Sequence, residues 1–447
     1  MSFVDGDASA AGWHRRVLGL AGPIILSNLS TPLLGAVDTA VVGHLANPAY
    51  IGGVAIGAMV FSFLYWGFGF LRMGTTGFTA QAFGAGDAAE LRATFLRPIL
   101  LAGLFGVSLI LLQIPIGWIA FRLVPGSAEV RAAAEAYYHI RIWSAPATLV
   151  NYTVLGWLLG TRRVKAALAL QVLLNLVNIA LDLFFVLVLG MATEGVALAT
   201  LIGEVLTAGL GLVLVLRVLA GEGGRWDWGG AVARARLVAL FRVNADIFIR
   251  TLCLIFAFGF FTTAGAGMGD VTLAANAILL NLQTFAAYGL DGFAHATEIL
   301  AGAAVGARNL ADFRRAVRVA GLWALLMAVA VAAAYAFAGP WIIRLFTSIA
   351  AVRANAGLYL PWMMLSPLVS VWSFLLDGIF IGSTRTGEMR NAMMLSLAAY
   401  LLAAWLLLPA FGNHGLWLAL MLFMASRAVT LALFYPRIER GLQAGRG

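Results

Sequence analysis

Charged side chains are scarce in this sequence. Asp, Glu, Lys and Arg make up 11% of its 447 residues, whereas apolar residues make up 62%. Soluble domains carry roughly 25% charged residues, so a chain this poor in charge cannot cover its surface for water. The composition therefore predicts an integral membrane protein and excludes an ordinary soluble domain.

Cysteine is nearly absent, since Cys253 is the only one. A single cysteine excludes a disulfide framework and any cysteine-based metal site. The sequence also lacks a His-Glu metal signature, a nucleophile elbow and a phosphate-binding loop, which argues against a membrane-bound enzyme. We expect no enzymatic activity, no cofactor and no firm metal site.

Long apolar runs, by contrast, fill most of the chain. A helix needs about 20 apolar residues to cross a bilayer, whereas a membrane barrel would show alternating segments of about 10 residues. The runs predict an all-α integral membrane protein with twelve transmembrane helices, near residues 17–44, 50–84, 94–122, 131–160, 166–190, 195–218, 238–266, 271–306, 316–342, 354–382, 391–411 and 414–436.

The basic residues lie mostly on one side of these predicted spans. The side that holds both termini carries 21 of the 29 Lys and Arg residues, and the opposite side carries four. Basic loops stay in the cytoplasm, so both termini are predicted to be cytoplasmic. This asymmetry accounts for the net charge of +9 without a nucleic-acid partner. The remaining four arginines fall inside spans: Arg72, Arg141, Arg250 and Arg427.

The two halves of the sequence resemble each other at an offset of about 222 residues. "FGAGDAAELR" (83–92) aligns with "VGARNLADFR" (305–314), and "GWLLGTRR" (156–163) aligns with "GIFIGSTR" (378–385). Such a repeat indicates duplication, and six spans per half give both halves one orientation. We therefore predict two six-helix lobes related by a pseudo-twofold axis along the membrane normal. Their predicted bounds are 1–218 and 238–447, joined by a cytoplasmic loop, 219–237. Transporters often use this plan, with the substrate site between the halves.

Asp38 is the first notable polar residue inside a predicted span, within "TPLLGAVDTAVVGHL" (31–45). The nearest basic residues along the chain are Arg16 and Arg72, so Asp38 has no fixed positive partner in its own helix. A carboxylate in hydrocarbon needs either a cation or a proton. Its neutral form is the less costly state there, which favours a proton.

A second polar cluster lies on the fifth and sixth spans. Asn175, Asn178 and Asp182 are spaced i, i+3 and i+7, which places them on one helical face, and Thr200 follows on the next span. Hydrogen bonds between helices are the alternative explanation for the amides and the hydroxyl. For Asp182 we favour a proton- or cation-binding role.

The second half carries its own intramembrane charges. Asp291, His295 and Glu298 share the eighth span, and Asp377 lies on the tenth. Arg250 on the seventh span and Arg427 on the twelfth are possible counter-ions. These residues are possible secondary polar sites, and an internal structural ion pair is the alternative.

Both halves contain long distinctive segments, among them "PLLGAVDTAVVGHL", "FLRMGTTGFTAQAFGAGD", "AYGLDGFAHATEILAGAAVGARN" and "LLDGIFIGSTRTGEMRNAM". These segments resemble the multidrug and toxic compound extrusion (MATE) transporters, in particular their DinF subfamily. The resemblance implies two six-helix lobes arranged in a V and antiport of organic compounds against protons or sodium. It also implies a cation pocket in the N-terminal lobe, which maps here onto Asp38, Asn178, Asp182, Thr200 and, more loosely, Asn151. Sodium-coupled relatives of another branch carry an acid on the seventh helix, where this sequence offers Arg250.

These observations lead us to expect a secondary active multidrug efflux antiporter in the bacterial inner membrane. It would export organic, mostly lipophilic compounds in exchange for protons, with protonation of Asp38 driving the conformational change. Sodium bound at Asp38 and Asp182 is the less favoured coupling ion. A lipid-linked oligosaccharide flippase is the alternative function, although it would need a strongly cationic cavity. We expect small organic substrates and membrane lipids as partners, no nucleic acid, and a monomer. Pro23 and Pro32 can each kink the first predicted helix.

Overall fold

The structure is a computed structural model that describes residues 9–42, 47, 49–123 and 127–444. These residues form helices and connections, with no β-strand among them. The helices of the first half are α1 (Ala10–Val42), α2 (Ala49–Gly67), α3 (Phe70–Ala85), α4 (Ala88–Leu111), α5 (Gln113–Leu123), α6 (Ala128–Arg141), α7 (Ala145–Gly160), α8 (Val164–Asp182) and α9 (Thr193–Gly221). Then follow α10 (Trp228–Ala231), α11 (Arg234–Ala266), α12 (Asp270–Gly306), α13 (Leu310–Phe346), α14 (Ala350–Gly382) and α15 (Thr386–Ala444).

The described part of every predicted span is largely helical. Within the described residues, nine helical segments are long and apolar enough to cross a membrane by length and composition alone. One of the nine is the 59-residue α15, which contains the last two predicted spans. The predicted spans 17–44 and 131–160 are not among the nine. The first corresponds to α1, and the second is divided between α6 and α7.

The long α15 is a hairpin of two helices. At 1.5 Å per residue a straight helix of this length would be about three times as long as a bilayer is thick. Gly412 interrupts it with a positive φ of 53°, a conformation that glycine adopts without steric cost. A side chain on Gly415 would overlap the carbonyl of Leu407, which shows that the chain folds back at this point.

Two predicted spans contain local breaks in the α-helical pattern. A 3₁₀ segment, Ile142–Ser144, separates α6 from α7, which begins with Pro146 in its first turn. A π-helical segment, Leu183–Val188, continues α8 directly after Asp182. Apolar periodicity alone predicts neither break, because a short 3₁₀ or π turn keeps the same residue types.

The described helices form two compact units by their contacts. The N-terminal unit consists of Leu26–Phe83 and Asp87–Leu240, and the C-terminal unit of the chain up to Ile25, Gly84–Gly86 and the chain from Phe241. The predicted loop 219–237 therefore groups with the N-terminal unit, and the first part of α1 with the C-terminal unit. The lobe bounds 1–218 and 238–447 stay a prediction.

Hydrogen bonds and an ion pair join the start of α1 and the predicted loop 219–237 to their respective units. In the C-terminal unit, the indole N–H of Trp323 donates to Nδ1 of His14 at 2.9 Å. In the N-terminal unit, Arg92 donates to the carbonyl of Leu219 at 2.5 Å. Arg163 also pairs with Glu222 at 3.1 Å, which fastens the start of the loop to the start of α8.

The predicted repeat is visible as one close helix contact in each unit. In the N-terminal unit, Gly156 and Gly160 of α7 lie against the carbonyls of Arg72 and Thr76 on α3. A Cβ at either glycine would overlap these backbone atoms, so glycine lets the two helices approach closely.

The C-terminal unit contains the same contact 222 residues further along the chain. Gly378 and Gly382 of α14 lie against the carbonyls of Ala294 and Glu298 on α12. All four positions correspond, at the same offset, to those of α7 and α3. The "GWLLGTRR" and "GIFIGSTR" segments thus share a packing role.

The helix N-termini also repeat. Asp87 caps α4 by accepting the backbone N–H of Glu90 at 2.9 Å. At an offset of 222 residues, Asn309 caps α13 by accepting the N–H of Asp312 at 3.1 Å. These side-chain caps satisfy donors that a helix leaves unpaired at its start, which explains the polar residues between long apolar runs.

Candidate functional site

Three predicted site residues on α8 are buried in the N-terminal unit. Asn178 and Asp182 are 0% exposed, and Asn175 is 8% exposed. The i, i+3, i+7 spacing thus turns all three inward, as one helical face requires. The π-helical segment begins at the next residue, Leu183, and such segments often occur at functional sites because they change the direction of side chains.

Asn178 and Thr200 are in direct contact. The Asn178 amide donates to the Thr200 hydroxyl at 3.0 Å, and that hydroxyl donates to the carbonyl of Val196 at 2.9 Å. Gly203 lies where α9 approaches Leu174 of α8. The close approach of the two helices brings these predicted residues together.

Asn175 and Asn151 make separate contacts. The side-chain oxygen of Asn175 accepts from Gln171 at 3.3 Å, one turn earlier on α8. Asn151 of α7 donates to the backbone carbonyl of Glu204 at 3.1 Å. Glu204 lies one turn beyond Thr200 on α9, so Asn151 bonds beside the Asn178–Thr200 contact rather than within it.

Asp38 falls within the helical span of α1, but its side chain lies outside the described residues, as does that of Pro32. Its predicted role and its predicted proximity to Asp182 therefore stay predictions. The α-helix runs through both Pro23 and Pro32. Among the described residues, no group of three or more His, Cys, Asp or Glu side chains is placed to hold a metal ion.

A buried ion pair that the sequence did not predict lies next to these residues. Arg141 at the end of α6 donates to Glu204 of α9 at 2.6 Å, and each side chain is 9% exposed. The hydroxyl of Thr148 also donates to Glu204, and Arg141 contacts the hydroxyl of Ser144. Arg141 is identifiable in the sequence as an intramembrane arginine, but its partner lies 63 residues away. No local pattern joins the two.

The C-terminal unit holds a second buried charge cluster around Asp377. One carboxylate oxygen of Asp377 accepts from Arg250 of α11 and, at 2.6 Å, from Arg427 of α15. Arg427 is almost completely buried and lies 5.6 Å from the ring centre of Phe423. Asp377 therefore connects three helices, α11, α14 and α15, through two guanidinium groups.

The eighth predicted span places His295 and Glu298 together. Nδ1 of His295 lies 2.9 Å from a carboxylate oxygen of Glu298, which is 0% exposed. Asp291 lies one turn before His295 on α12 and is half-buried. The close packing of Gly382 on the Glu298 backbone fixes this part of α12 against α14.

Comparison with known proteins identifies the family. A family model described as MatE matches residues 23–184 and 247–407, one match in each half. The DNA damage-inducible protein F of Escherichia coli (strain K12) is 45% identical over 446 residues, which cover 98% of this chain and 94% of that protein. The chain belongs to the MATE family. As a member of this family it is a transporter and a multi-pass membrane protein.

Other MATE proteins give the same assignment. The probable multidrug resistance protein NorM of Caulobacter vibrioides is 29% identical over 308 residues, covering 67% of this chain and 64% of that protein. A solved structure described as the outward-facing conformation of a multidrug resistance MATE family transporter matches with a TM-score of 0.86. The match covers 97% of both chains at 20% identity, so it establishes the MATE fold.

Proposed function

We propose that this MATE protein is a secondary active multidrug antiporter that exports organic, mostly lipophilic compounds in exchange for protons. The observation that carries the proposal is the buried polar set on α8 and α9, where Asn178 bonds to Thr200 and Asp182 lies buried one turn further along α8. A carboxyl group inside a membrane-spanning helix can bind a proton or a cation, and exchange of that ion can supply the energy for export.

A proton is the favoured coupling ion. A proton needs one acid, whereas sodium would need several oxygen atoms held together at once. Asp38 lies among apolar residues with no basic residue near it in its helix, and there the neutral carboxyl is the less costly form. Coupling follows if protonation of Asp38 and substrate binding favour different conformers of the transporter.

Multidrug export is supported by the relatives' names. The Caulobacter protein is named a probable multidrug resistance protein, and the solved structure is described as a multidrug resistance transporter. We further propose that the protein is a monomer in a bacterial inner membrane with small organic compounds as its substrates, and the bias of basic residues supports cytoplasmic termini. Its surroundings would then be membrane lipids.

The flippase alternative receives less support from the intramembrane arginines. A cavity that binds a pyrophosphate-linked lipid needs guanidinium groups free to contact the anion. Three of the four intramembrane arginines instead bond to carboxylates: Arg141 to Glu204, and both Arg250 and Arg427 to Asp377. These pairs favour the antiporter over the flippase, because these three arginines already have internal partners.

Efflux from intact cells tests the site directly. Asp38→Asn should abolish dye efflux and drug resistance while the protein is still inserted at a normal level. Asp270→Asn makes the same chemical change at an exposed position at the start of α12 and should leave efflux unchanged. Near-normal efflux by Asp38→Asn at normal expression would refute the assignment of Asp38 as the proton acceptor.

A further inference from the structure

Both carboxylate oxygens and two guanidinium nitrogens of the buried Arg141–Glu204 pair have hydrogen-bond partners. One carboxylate oxygen of Glu204 accepts from Arg141 at 2.6 Å, and the other accepts from the Thr148 hydroxyl. The guanidinium of Arg141 also contacts Ser144 and lies 5.3 Å from the ring centre of Phe61. A cation above an aromatic face and beside a carboxylate is held by two attractive interactions.

The charged and titratable groups around this pair come from four elements. Tyr65 of α2, with its ring centre 5.4 Å from Arg141, and Tyr137 of α6 both interact with the guanidinium. Tyr152 of α7 interacts with Glu204 and also with Arg72 of α3. Tyrosines are neutral near pH 7, so Arg141 is the cation that directly balances Glu204.

The pair is connected to the proposed ion pocket through α9. The backbone carbonyl of Glu204 accepts from Asn151, and Thr200, the partner of Asn178, lies one turn earlier on the same helix. Since Arg141 comes from α6 and Thr148 from α7, their bonds to Glu204 fix the position of α9 against both helices. Side chains at positions 141 and 204 that still hydrogen-bond would therefore keep α9 in place beside Asn151 and Thr200.

We propose that Arg141 is a permanent internal counter-ion of Glu204, and that the two are positioning residues which keep this carboxylate out of ion exchange. The proposal rests on the proton antiport proposed above. In that mechanism Asp38 and Asp182 exchange protons, while Glu204 stays ionised throughout the cycle. Arg141 thereby limits how many protons accompany each substrate molecule.

The proposal predicts a specific effect of removing the counter-ion. In Arg141→Gln, Glu204 would be a buried carboxylate without a balancing charge and would have to take up a proton or a cation. It would then be an additional titrating group beside the pocket. The double variant Arg141→Gln/Glu204→Gln removes both charges. The two glutamine amides that replace them can still form hydrogen bonds.

The test counts protons released when a transported dye binds to detergent-purified protein in weak buffer, over a range of pH. Wild type and the double variant should release the same number of protons per dye molecule at each pH. Arg141→Gln should differ from them by up to one proton, with a pH profile that contains an added component. Arg131→Gln is the matched control, because it breaks an exposed Arg–Glu pair with Glu135 on the same helix and should keep the wild-type profile.

Three results would contradict the proposal. A double variant that is folded but releases fewer protons than wild type would show that Glu204 itself exchanges a proton, and this measurement decides even when Arg141→Gln does not fold. An Arg141→Gln profile that superimposes on that of wild type would show that the pair is only structural. If wild-type protein releases no proton on binding dye, the proposed proton coupling fails, and this inference fails with it.

Discussion

At the scale of single residues, two kinds of buried polar contact occur inside the helical units. The Asn178–Thr200 bond joins two neutral side chains, whereas Asp377 and Glu204 are carboxylates bonded to arginines. Hydrogen bonds between neutral groups in membrane proteins contribute little each, about 0.6 to 1.7 kcal/mol. Separating a buried ion pair costs far more, because it leaves a charge without compensation.

This difference predicts graded effects within the proposed pocket. Asn178→Ala and Thr200→Ala remove one neutral bond each and should slow dye efflux about threefold to tenfold, in line with the modest energy of such bonds. Asp182→Asn should be nearly as severe as Asp38→Asn, because it removes a proposed proton acceptor. Asn281→Ala, at an exposed position on α12, is the control for an amide change. Equal activity of Asn178→Ala, Thr200→Ala, Asp182→Asn and Asp38→Asn would refute the proposed pocket.

Asp377 should act on folding rather than on coupling. Asp377→Asn leaves the guanidiniums of Arg250 and Arg427 beside a neutral amide, and the expected cost is about 3–5 kcal/mol. The thermal unfolding midpoint in detergent and the yield of inserted protein should both fall, while the exposed control Asp270→Asn leaves them unchanged. A stable Asp377→Asn protein that binds dye but no longer transports it would instead assign Asp377 to the coupling reaction.

The sequence predicted the polar faces of single helices better than the contacts between helices. The spacing of Asn175, Asn178 and Asp182 places them on one face, and all three are buried. The pairing of Arg141 with Glu204 could not be predicted, since periodicity describes one helix and does not give the rotation of its neighbour. The side chain of Asp38 lies outside the described residues, so its place in the pocket is still a prediction.

At the scale of helices, close approach and local breaks set the architecture. The contacts of Gly156 with α3 and of Gly378 with α12 occur at matching positions of the repeat, and each depends on the absence of a side chain. These glycines are identical between the two halves of the sequence, but sequence identity alone does not show that they allow close helix contacts. The turn at Gly412 and the π-helical segment after Asp182 are likewise visible only in the backbone.

Two glycines of α14 should therefore respond differently to the same substitution. Gly378→Ala places a methyl group into the Ala294 carbonyl and should destabilise the protein by about 1–3 kcal/mol through overpacking. Gly357→Ala meets open space on the same helix and should stabilise it by up to about 1 kcal/mol, because alanine favours helix. Thermal unfolding in detergent measures both. Equal midpoints for the two variants would show that the α12–α14 contact can relax at no cost.

At the scale of the whole molecule, the apolar runs of the sequence predicted the positions of the long helices. The described residues of each run are mostly helical, and the repeat at an offset of 222 residues recurs in glycine contacts and helix caps. Run length, charge bias and repetition are properties of the linear sequence, which is why these features could be predicted. The grouping of α1 up to Ile25 with the C-terminal unit depends on long-range packing, so it could not be predicted from the linear sequence.

The predicted topology places Asn47 outside the cell and Arg225 in the cytoplasm. In a Cys253→Ser background, Asn47→Cys should react with a membrane-impermeant thiol reagent added to intact cells. Arg225→Cys, at an exposed position of the loop, should react only after the membrane is opened. Protection of Asn47→Cys in intact cells together with labelling of Arg225→Cys would reverse the orientation deduced from the basic residues.

In the proposed mechanism, this MATE protein couples export to protons through acids of its N-terminal unit. The most direct measurement uses proteoliposomes in sodium-free buffer with an imposed pH gradient, and follows a fluorescent substrate. The pH gradient should drive dye uptake by the wild-type protein and by Asp270→Asn, and Asp38→Asn should remove it. Transport that is absent under the pH gradient but appears with a sodium gradient would contradict proton coupling.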